Sequence, residues 1–351
     1  MMNPLTISHP IIDMRIRPPF LHRFFGSTPE TPEYDVVRWL NKRVGSNDVD
    51  HFAAVKNGED LVREMDRARI SVGVVVARNV PGVRVTNDEI ADLVAIAPSR
   101  FVGVGLVDPQ HVGADAAVAE IHRAVTQLGC KAINVDPGFL ERPVLAYDDV
   151  MLPVYATCSD LGVPVSIMSG PTTSDLSFAE PRAIARVAKA FPKLRIVVSH
   201  GGYPFVGEMI AVALMHPNVY ISPDMYTFMP GGSLYIEAAN GFMCDQLLFG
   251  TSFPFKPLKQ GVDDFLTLGL HEDVLERAQA RLDNNPNAMR VRRETVEHPF
   301  GTLKMRMGAT HFLCKTLPKV ATEMALCVLG YNLTRVLNIV GMKPLLVAVR
   351  V

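Results

Sequence analysis

The feature that most constrains the fold is a regular alternation of short apolar runs with segments of helical periodicity. Each run is continuous and rich in Val, Ile and Leu, without the apolar–polar alternation of a strand that is exposed on one face. Continuous runs are typical of parallel strands that are covered on both faces. Eight such runs separated by helical segments predict an eight-stranded parallel α/β barrel. The predicted strands are residues 11–16, 71–77, 101–107, 131–135, 164–168, 194–199, 219–222 and 246–250.

The predicted helices alternate with these strands along most of the chain. They cover residues 59–69, 87–96, 113–128, 148–161, 180–191, 205–215 and 233–240, and a last helix, 272–282, completes the unit. Residues 20–57 have weak periodicity and many Pro, Gly, aromatic and charged residues, so we expect a long loop over the barrel mouth. An open doubly wound sheet is the alternative, but it usually has fewer strands, and no GxGxxG motif follows the first strand.

The character of the sequence changes near residue 290. Residues 1–289 form the predicted barrel domain. Residues 290–351 are basic, Met-rich and helical in period, and no barrel strand remains for them to follow. We therefore expect a helical carboxyl-terminal appendage.

Composition and charge limit the class of protein. With 35 Lys and Arg residues against 36 Asp and Glu residues, the formal net charge is -1, which argues against a general binder of polyanions. The five cysteines lack CxxC spacing and are expected to be reduced, as in a cytoplasmic protein. No basic region precedes an apolar stretch at the amino terminus, and no run of about 18 apolar residues occurs, so we expect neither a signal peptide nor a membrane span.

A set of candidate functional side chains follows the predicted strands. The carboxyl ends of all barrel strands meet at one face, so these side chains are expected to be neighbours. Two arginines at positions i and i+2 point to the same side of a strand, and buried guanidinium groups need an anion because arginine keeps its proton. A ligand carboxylate or phosphate meets that need, and internal pairing with Asp13, Asp136 or Asp224 is the alternative. The set comprises Arg15, Arg17, Asn134, Asp136, Met168, Ser169, His200, Asp224, Thr251 and Ser252.

His200 and Asp224 are the candidate catalytic residues. His200 follows the apolar run LRIVVS and precedes two glycines, which places it in a loop at the end of a strand. Such a histidine serves as an acid, a base or a metal ligand, or it only hydrogen-bonds the strand end. Asp224 follows NVYISP and serves either as a base or as the cap of the next helix. The sequence leaves these alternatives open.

These segments together resemble the amidohydrolase superfamily, in particular its amidohydrolase-related group of decarboxylases, hydratases and lactonases. The resemblance covers residues 10 to about 289 and rests on the motifs IIDMRIRPP, GCKAINVDP, LGVPVSIMSG, LRIVVSHGGYP, NVYISPD and DQLLFGTSFPF in this order. It implies a distorted (βα)8 TIM-like barrel, in agreement with the periodicity.

The sequence departs from the family pattern at the metal site that the resemblance implies. In the family, strand 1 ends in HxH, and here Arg15 and Arg17 stand at those positions. The family's strand-5 histidine corresponds to Met168, and its aspartate after strand 8 corresponds to Ser252. Only His200 remains of that set. Because two cations repel a divalent ion, which needs three or four neutral or anionic ligands, we predict no catalytic metal and no cofactor.

The tail resembles a different family. Arg293, Glu297 and Lys304 reproduce the R-x3-E-x6-K spacing near the carboxyl terminus of DDE-type insertion-sequence transposases, and TVEHPFGTLKMRMGATHFL around them is similar to that family throughout. There the glutamate binds metal together with upstream aspartates. The segment that would carry those aspartates is absent, so we expect Glu297 to be inert and the tail not to bind nucleic acid. We interpret the reading frame as a chimera.

The sequence thus favours a metal-independent hydrolase or lyase that acts on a small carboxylated substrate, such as a lactone or a carboxylated ring compound. In this interpretation Arg15 and Arg17 bind the acid group. His200 is then the general acid and base, and Asp224 orients it or activates water. The alternative is a catalytically inactive barrel that binds an anionic metabolite, and a homodimer is a further expectation. Other predicted substrate contacts are Ser252, Tyr203, Asn134 and Met168.

Overall fold

The computed structural model describes residues 10–21, 28–271 and Val274. The tail 290–351, the predicted domain boundary at residue 289 and nearly all of the predicted helix 272–282 lie outside the described residues and remain predictions. Within the described ranges the protein has the predicted α/β architecture, in which helices surround a curled parallel sheet.

A parallel sheet of seven strands forms the centre of the fold. The strands are β1 (Ile11–Ile16), β2 (Ile70–Val76), β3 (Arg78–Val80), β4 (Val83–Val85), β5 (Phe101–Leu106), β6 (Ala132–Val135), β7 (Val165–Met168), β8 (Ile196–Ser199) and β9 (Val219–Ser222). The sheet order is β1-β2-β5-β6-β7-β8-β9, so each strand pairs with the next parallel strand along the chain. The remaining two strands, β3 and β4, form a separate antiparallel hairpin directly after β2.

Helices connect these strands and cover the outer face of the sheet. The α-helices are α1 (Pro32–Arg43), α2 (Gly58–Arg67), α3 (Asn87–Ile96), α4 (Pro109–Val112), α5 (Ala114–Thr126), α6 (Leu152–Leu161), α7 (Pro181–Ala190), α8 (Val206–Met215), α9 (Ser233–Ala239) and α10 (Leu258–Leu266). Short 3-10 helices cover His51–Ala54, Pro137–Phe139, Asp149–Met151, Leu176–Ala179, His200–Gly202 and Asp224–Phe228. Local sequence explains where α3 begins, because Thr86 and Glu89 form a reciprocal capping box at its first turn.

Alternation along the strands separates the hydrophobic core from the candidate site. In β6 and β7, Ile133, Val135, Val165 and Ile167 are buried in the cluster that also contains the apolar faces of α5, α6, α7 and α8. Successive side chains of a strand point to opposite faces, so the residues between them point away from these helices. Polar side chains such as Asn134 therefore lie on the inner face of the sheet, where they are still buried.

The predicted eighth strand, 246–250, is not part of the sheet, and this element of the prediction was wrong. The segment makes one isolated parallel bridge, between Leu247 and Ile221, and a second bridge follows it between Phe253 and Ile16. The chain leaves the extended conformation just after this segment, because Ser252 has a φ of 59°, in the left-handed region.

The side chain of Asp13 closes the barrel across this irregular segment. Its Oδ1 accepts hydrogen bonds from the backbone N of Arg15 at 2.9 Å and of Thr251 at 3.1 Å. Its Oδ2 accepts from the Thr251 hydroxyl at 2.6 Å. Asp13 is fully buried, and burial raises the pKa of its carboxyl to about 7. The backbone N–H groups of Met14 and Arg17 also donate to the carbonyls of Phe249 at 2.9 Å and Phe253 at 2.8 Å. Side-chain and backbone hydrogen bonds together thus join β1 to this segment.

Sequence periodicity missed several elements, among them α1, α4, α10 and the hairpin of β3 and β4. Residues 20–57 were expected to be a loop but contain α1, in which only Tyr34, Val37 and Asn41 are buried. A helix with so few apolar contacts lacks the stripe by which sequence patterns reveal helices. The hairpin of β3 and β4 and the helix α10 were not predicted either. Across the described ranges, no helix combines the length and the apolar character needed to cross a lipid bilayer.

Candidate active site

The structure brings six of the predicted site residues into contact at the carboxyl end of the sheet, namely Arg15, Arg17, Met168, His200, Asp224 and Ser252. Arg15 donates from Nη1 to the Ser199 hydroxyl at 2.7 Å, and its Nη2 contacts the Met168 sulfur at 2.9 Å. Arg17 donates from Nη1 to the Ser252 hydroxyl at 3.0 Å, and its Nη2 lies 3.1 Å from Nε2 of His200. Arg15 and Arg17 are each 1% exposed, so both positive charges are buried at this end of the sheet. These residues lie at or just beyond the carboxyl end of the sheet, which explains why side chains far apart in the sequence are in contact.

Unusual backbone conformations mark the same positions. His200, Asp224 and Ser252 have φ values of 64°, 57° and 59°. His200 directly follows β8, Asp224 lies two residues after β9, and Ser252 lies two residues after the segment 246–250. Non-glycine residues in the left-handed region are uncommon, and they cluster at functional sites, where the surrounding structure maintains the strain. Gly170 makes room for His200, because a Cβ at Gly170 would lie 2.9 Å from the Cβ of the histidine. The fold therefore directs these three side chains inward at a cost in backbone energy.

The contacts of His200 fix its tautomer. Arg17 can only donate, so Nε2 of His200 is the acceptor of that contact and carries no proton. The ring proton is then on Nδ1, which lies 3.1 Å from Oδ2 of Asp224. This second contact is bent, and by strict hydrogen-bond geometry Nδ1 has no aligned partner among the described residues. Burial, reinforced by repulsion from Arg15 and Arg17 and opposed by Asp224, lowers the pKa of His200 to about 3.

Asp224 is held as an ionised partner of the histidine. Its Oδ1 accepts from the Ser222 hydroxyl at 2.7 Å, and its Oδ2 accepts from the backbone N of His200 at 3.2 Å. Burial alone would raise the pKa of Asp224, but its contacts with His200, the charge of Arg15 and the Ser222 bond hold that pKa below its usual value. The side chain faces His200, and no hydrogen bond from it caps the 3-10 helix that starts there. The sequence left open whether Asp224 is a base, a helix cap or the carboxylate that orients His200, and the geometry favours the orienting carboxylate.

Arg17 is a buried cation that forms no ion pair with any residue described by the structure. Nε of Arg15 lies 3.6 Å from Asp224, and Nε of Arg78 donates to Asp136 at 3.2 Å. In the part of the chain that the structure describes, no carboxylate lies at ion-pair distance from Arg17, and its Nε has no hydrogen-bond partner. Burial and repulsion from Arg15 hold the pKa of Arg17 well below its usual value. Internal pairing, the alternative raised by the sequence, thus accounts for Arg15 but not for Arg17.

Arg78 is a charged residue of this region that sequence reasoning missed. It is 3% exposed, pairs with Asp136 and lies with its guanidinium carbon 5.6 Å from the centre of the Phe139 ring. Asn134, a predicted substrate contact, donates to the other Asp136 oxygen at 3.0 Å, so its amide supports the Arg78–Asp136 pair. The Asn134 carbonyl oxygen is buried without a partner. Arg78 directly follows the predicted strand 71–77, so it met the same criterion, a position just after a predicted strand, by which the other candidate residues were selected.

Two tyrosines form an aromatic wall beside the histidine. The Tyr226 ring is perpendicular to the His200 ring at a centroid distance of 5.2 Å, and it stacks on Tyr203 at 4.9 Å. Tyr226 is 4% exposed, and burial raises the pKa of its hydroxyl, so it stays protonated. Tyr203, the predicted contact, lies behind Tyr226 and is half-buried. Sequence reasoning therefore selected the outer tyrosine of a stacked pair, although Tyr226 lies only two residues after Asp224.

Comparison with known proteins agrees with this architecture. A family model described as Amidohydrolase matches residues 53–284. An uncharacterized TIM-barrel protein from Bordetella bronchiseptica has 34% sequence identity and a TM-score of 0.69, over 77% of this chain and 95% of that chain. A search of curated protein sequences found no match.

More distant solved structures are similar in fold. The 5-carboxyvanillate decarboxylase from Sphingomonas paucimobilis has 18% identity and a TM-score of 0.51, over 76% of this chain and 95% of that chain. A dihydroxybenzoic acid decarboxylase from Polaromonas sp. JS666, solved with bound manganese and the inhibitor 2-nitroresorcinol, has 18% identity and a TM-score of 0.56, over 80% of this chain and 99% of that chain. At 18% sequence identity these similarities show a shared fold and nothing about activity.

The donor set of this chain does not fit a manganese ion. A divalent cation needs several oxygen, nitrogen or sulfur ligands that are neutral or anionic. Here the one accepting histidine nitrogen, Nε2 of His200, faces the guanidinium of Arg17, and Arg15 approaches from the same strand. Within the described residues, no group of three or more His, Cys, Asp or Glu side chains is arranged to hold a metal ion. We therefore assign no step of the chemistry to a metal.

Proposed function

Since the chain belongs to the amidohydrolase family, we propose that it is a metal-independent hydrolase or lyase that acts on a small carboxylated substrate. The substrate class is a lactone or a carboxylated ring compound. Support for a carboxylated ring compound comes from the decarboxylases of similar fold, which are described as acting on 5-carboxyvanillate and dihydroxybenzoic acid.

The observation that carries this proposal is the missing counter-ion of Arg17. Taking a charge out of water costs several kcal/mol, and a buried charge is normally paired. The pairs Arg15–Asp224 and Arg78–Asp136 follow this rule, whereas no carboxylate of the described residues lies at ion-pair distance from Arg17. One carboxylate from a ligand would balance this guanidinium, and its two oxygens match the planar fork of arginine.

His200 and Asp224 supply the acid–base chemistry. For a lactone, His200 Nε2 accepts a proton from water as the water oxygen adds to the carbonyl carbon. The ring C–O bond then breaks, and the leaving oxygen takes the proton back from the imidazolium. For a carboxylated ring, protonated His200 donates its Nε2 proton to the ring carbon that bears the carboxylate. The C–C bond then breaks, its electron pair stays with the ring, carbon dioxide leaves, and the imidazole takes a new proton from solvent water. In both reactions Asp224 stabilises the proton on Nδ1.

One observation favours a second candidate, an inactive barrel that binds an anionic metabolite. In the ligand-free site His200 is a weak base, because its pKa is lowered to about 3 by burial and by the neighbouring arginines. Its accepting nitrogen is also occupied by Arg17. Turnover separates the two candidates.

The test uses the full chain after treatment with EDTA and desalting. We expect benzoate to raise the unfolding temperature and the neutral analogue benzamide to leave it unchanged. A screen of lactones and carboxylated aromatic compounds then measures turnover without added metal. Activity that EDTA abolishes and Mn²⁺ or Zn²⁺ restores contradicts the metal-independent mechanism. Stabilisation by benzoate without turnover of any compound supports the inactive barrel.

A further inference from the structure

We propose that Arg17 keeps His200 inactive in the free protein and that the substrate carboxylate releases it by taking over the Arg17 guanidinium. This inference rests on the proposed function, because it concerns the regulation of the same site. It assigns two roles to one arginine, which binds the anion and controls the base.

The contacts of Arg17 make the exchange favourable. Among the described residues its Nη1 and Nη2 bond to neutral groups, the Ser252 hydroxyl at 3.0 Å and the His200 nitrogen at 3.1 Å, and the Met168 sulfur is at 3.8 Å. Hydrogen bonds in which both partners are charged are roughly twice as strong as neutral ones, and a carboxylate accepts two of them from an arginine. A carboxylate therefore competes well for the N–H groups of the guanidinium, including the one that now contacts His200.

The charges around His200 explain why its release matters. The groups that face its ring are Arg15 in β1, Arg17 directly after β1, Asp224 after β9, and the protonated Tyr226 two residues further on. A bound carboxylate neutralises Arg17, and the charge of Arg15 is already balanced by Asp224. The imidazole then loses its charged donor and one of the two cations that oppose its protonation. Its basicity rises only when substrate is present.

This arrangement makes the negative charge of the substrate a condition for catalysis. A neutral ester or amide of the same shape leaves Arg17 on Nε2, so it is expected to react poorly even when it enters the site. Discrimination then depends on a hydrogen-bonded charge, which rejects analogues more strongly than a hydrophobic pocket does.

The experiment observes the imidazole directly by nitrogen NMR. The full chain is labelled with ¹⁵N-histidine, and the His200 signals are assigned among the 10 histidines by comparison with His200→Gln. At neutral pH the free protein is expected to show a proton on Nδ1 and a hydrogen-bonded Nε2. Saturating benzoate is expected to move the Nε2 signal downfield and to shift the protonation midpoint of His200 upward. Benzamide at the same concentration is the matched control.

Each outcome has a defined meaning. If benzoate stabilises the protein and leaves both His200 signals and the midpoint unchanged, the release mechanism is wrong although the proposed anion site stands. If benzoate causes no thermal stabilisation, the proposed function fails first. Arg17→Met is expected to show the released signals without benzoate. The wild-type titration decides the question by itself if that variant does not fold.

Discussion

The stability of Arg17→Met tests the claim that this buried arginine has hydrogen-bond partners but no carboxylate partner among the described residues. Methionine has a similar length and no charge, so it fills the space without requiring an anion. Replacement of buried charged groups by apolar residues of similar volume is often neutral or stabilising, by about 1–4 kcal/mol. Since no described carboxylate depends on Arg17, the free energy of unfolding is expected to stay the same or to rise.

Arg78→Met is the matched control. Arg78 is as deeply buried as Arg17 but pairs with Asp136 at 3.2 Å. Its removal leaves a buried carboxylate without its cation, and breaking a buried pair in this way costs about 3–5 kcal/mol. Two arginine-to-methionine changes at the same end of one sheet are thus expected to differ clearly. Arg17→Met leaves the free energy of unfolding unchanged or raises it, and Arg78→Met lowers it.

Urea unfolding of the EDTA-treated proteins measures both effects. The midpoints are compared at a shared slope, since a mutation that changes only the midpoint has changed stability alone. Benzoate is then added. At a concentration of about 100 times its dissociation constant it should stabilise the wild type by about 2.7 kcal/mol and Arg17→Met much less. Destabilisation of Arg17→Met by as much as Arg78→Met would show that Arg17 is an internally satisfied structural residue.

Three further predictions concern neighbouring groups. Burial raises the pKa of Asp13 from 3.8 to about 7, so its contribution to stability is present at acid pH and is lost as the pH rises toward 7. His200, whose pKa is lowered, contributes an opposite slope. Asp13→Asn should remove the loss that Asp13 causes, as measured by a pH series of urea midpoints. Gly250→Ala places a Cβ 2.5 Å from Oδ1 of Asp224 and should lower stability by about 1–3 kcal/mol in urea unfolding, whereas Gly207→Ala, with open space around its Cβ, should be neutral or stabilising. Metal analysis after incubation with Mn²⁺ and desalting should find far less than one ion per chain, and a stoichiometric ion that His200→Ala loses would refute the metal-free site.

Sequence patterns were sufficient for the parts of the fold that depend on apolar burial. The strands β1 and β9 and the helix α3 have the predicted limits, because apolar residues and a capping box define them locally, even though Asp13 and Arg15 interrupt the apolar run of β1. The eighth strand was predicted from the apolar residues of segment 246–250. This segment is joined to its neighbours by isolated bridges and, at its end, by hydrogen bonds from the side chain of Asp13, which are tertiary contacts. The helix α1 was missed because most of its side chains are solvated.

The candidate site was predictable to the level of which residues are neighbours. Barrel geometry alone brings Arg15, Arg17 and His200 together from their strand-end positions. Which arginine has a carboxylate partner was not predictable, because 3.6 Å between Arg15 and Asp224 is a result of packing and not of spacing in the sequence. The tautomer of His200 also follows only from the observed approach of Arg17 to Nε2.

A crystal structure of the EDTA-treated full chain with benzoate tests the central claim most directly. The account predicts no metal ion at His200 and the benzoate carboxylate bonded to both Nη atoms of Arg17, with His200 Nε2 released from that arginine. A metal ion coordinated by His200 and Asp224, or a benzoate bound elsewhere with Arg17 still on the histidine, would contradict it.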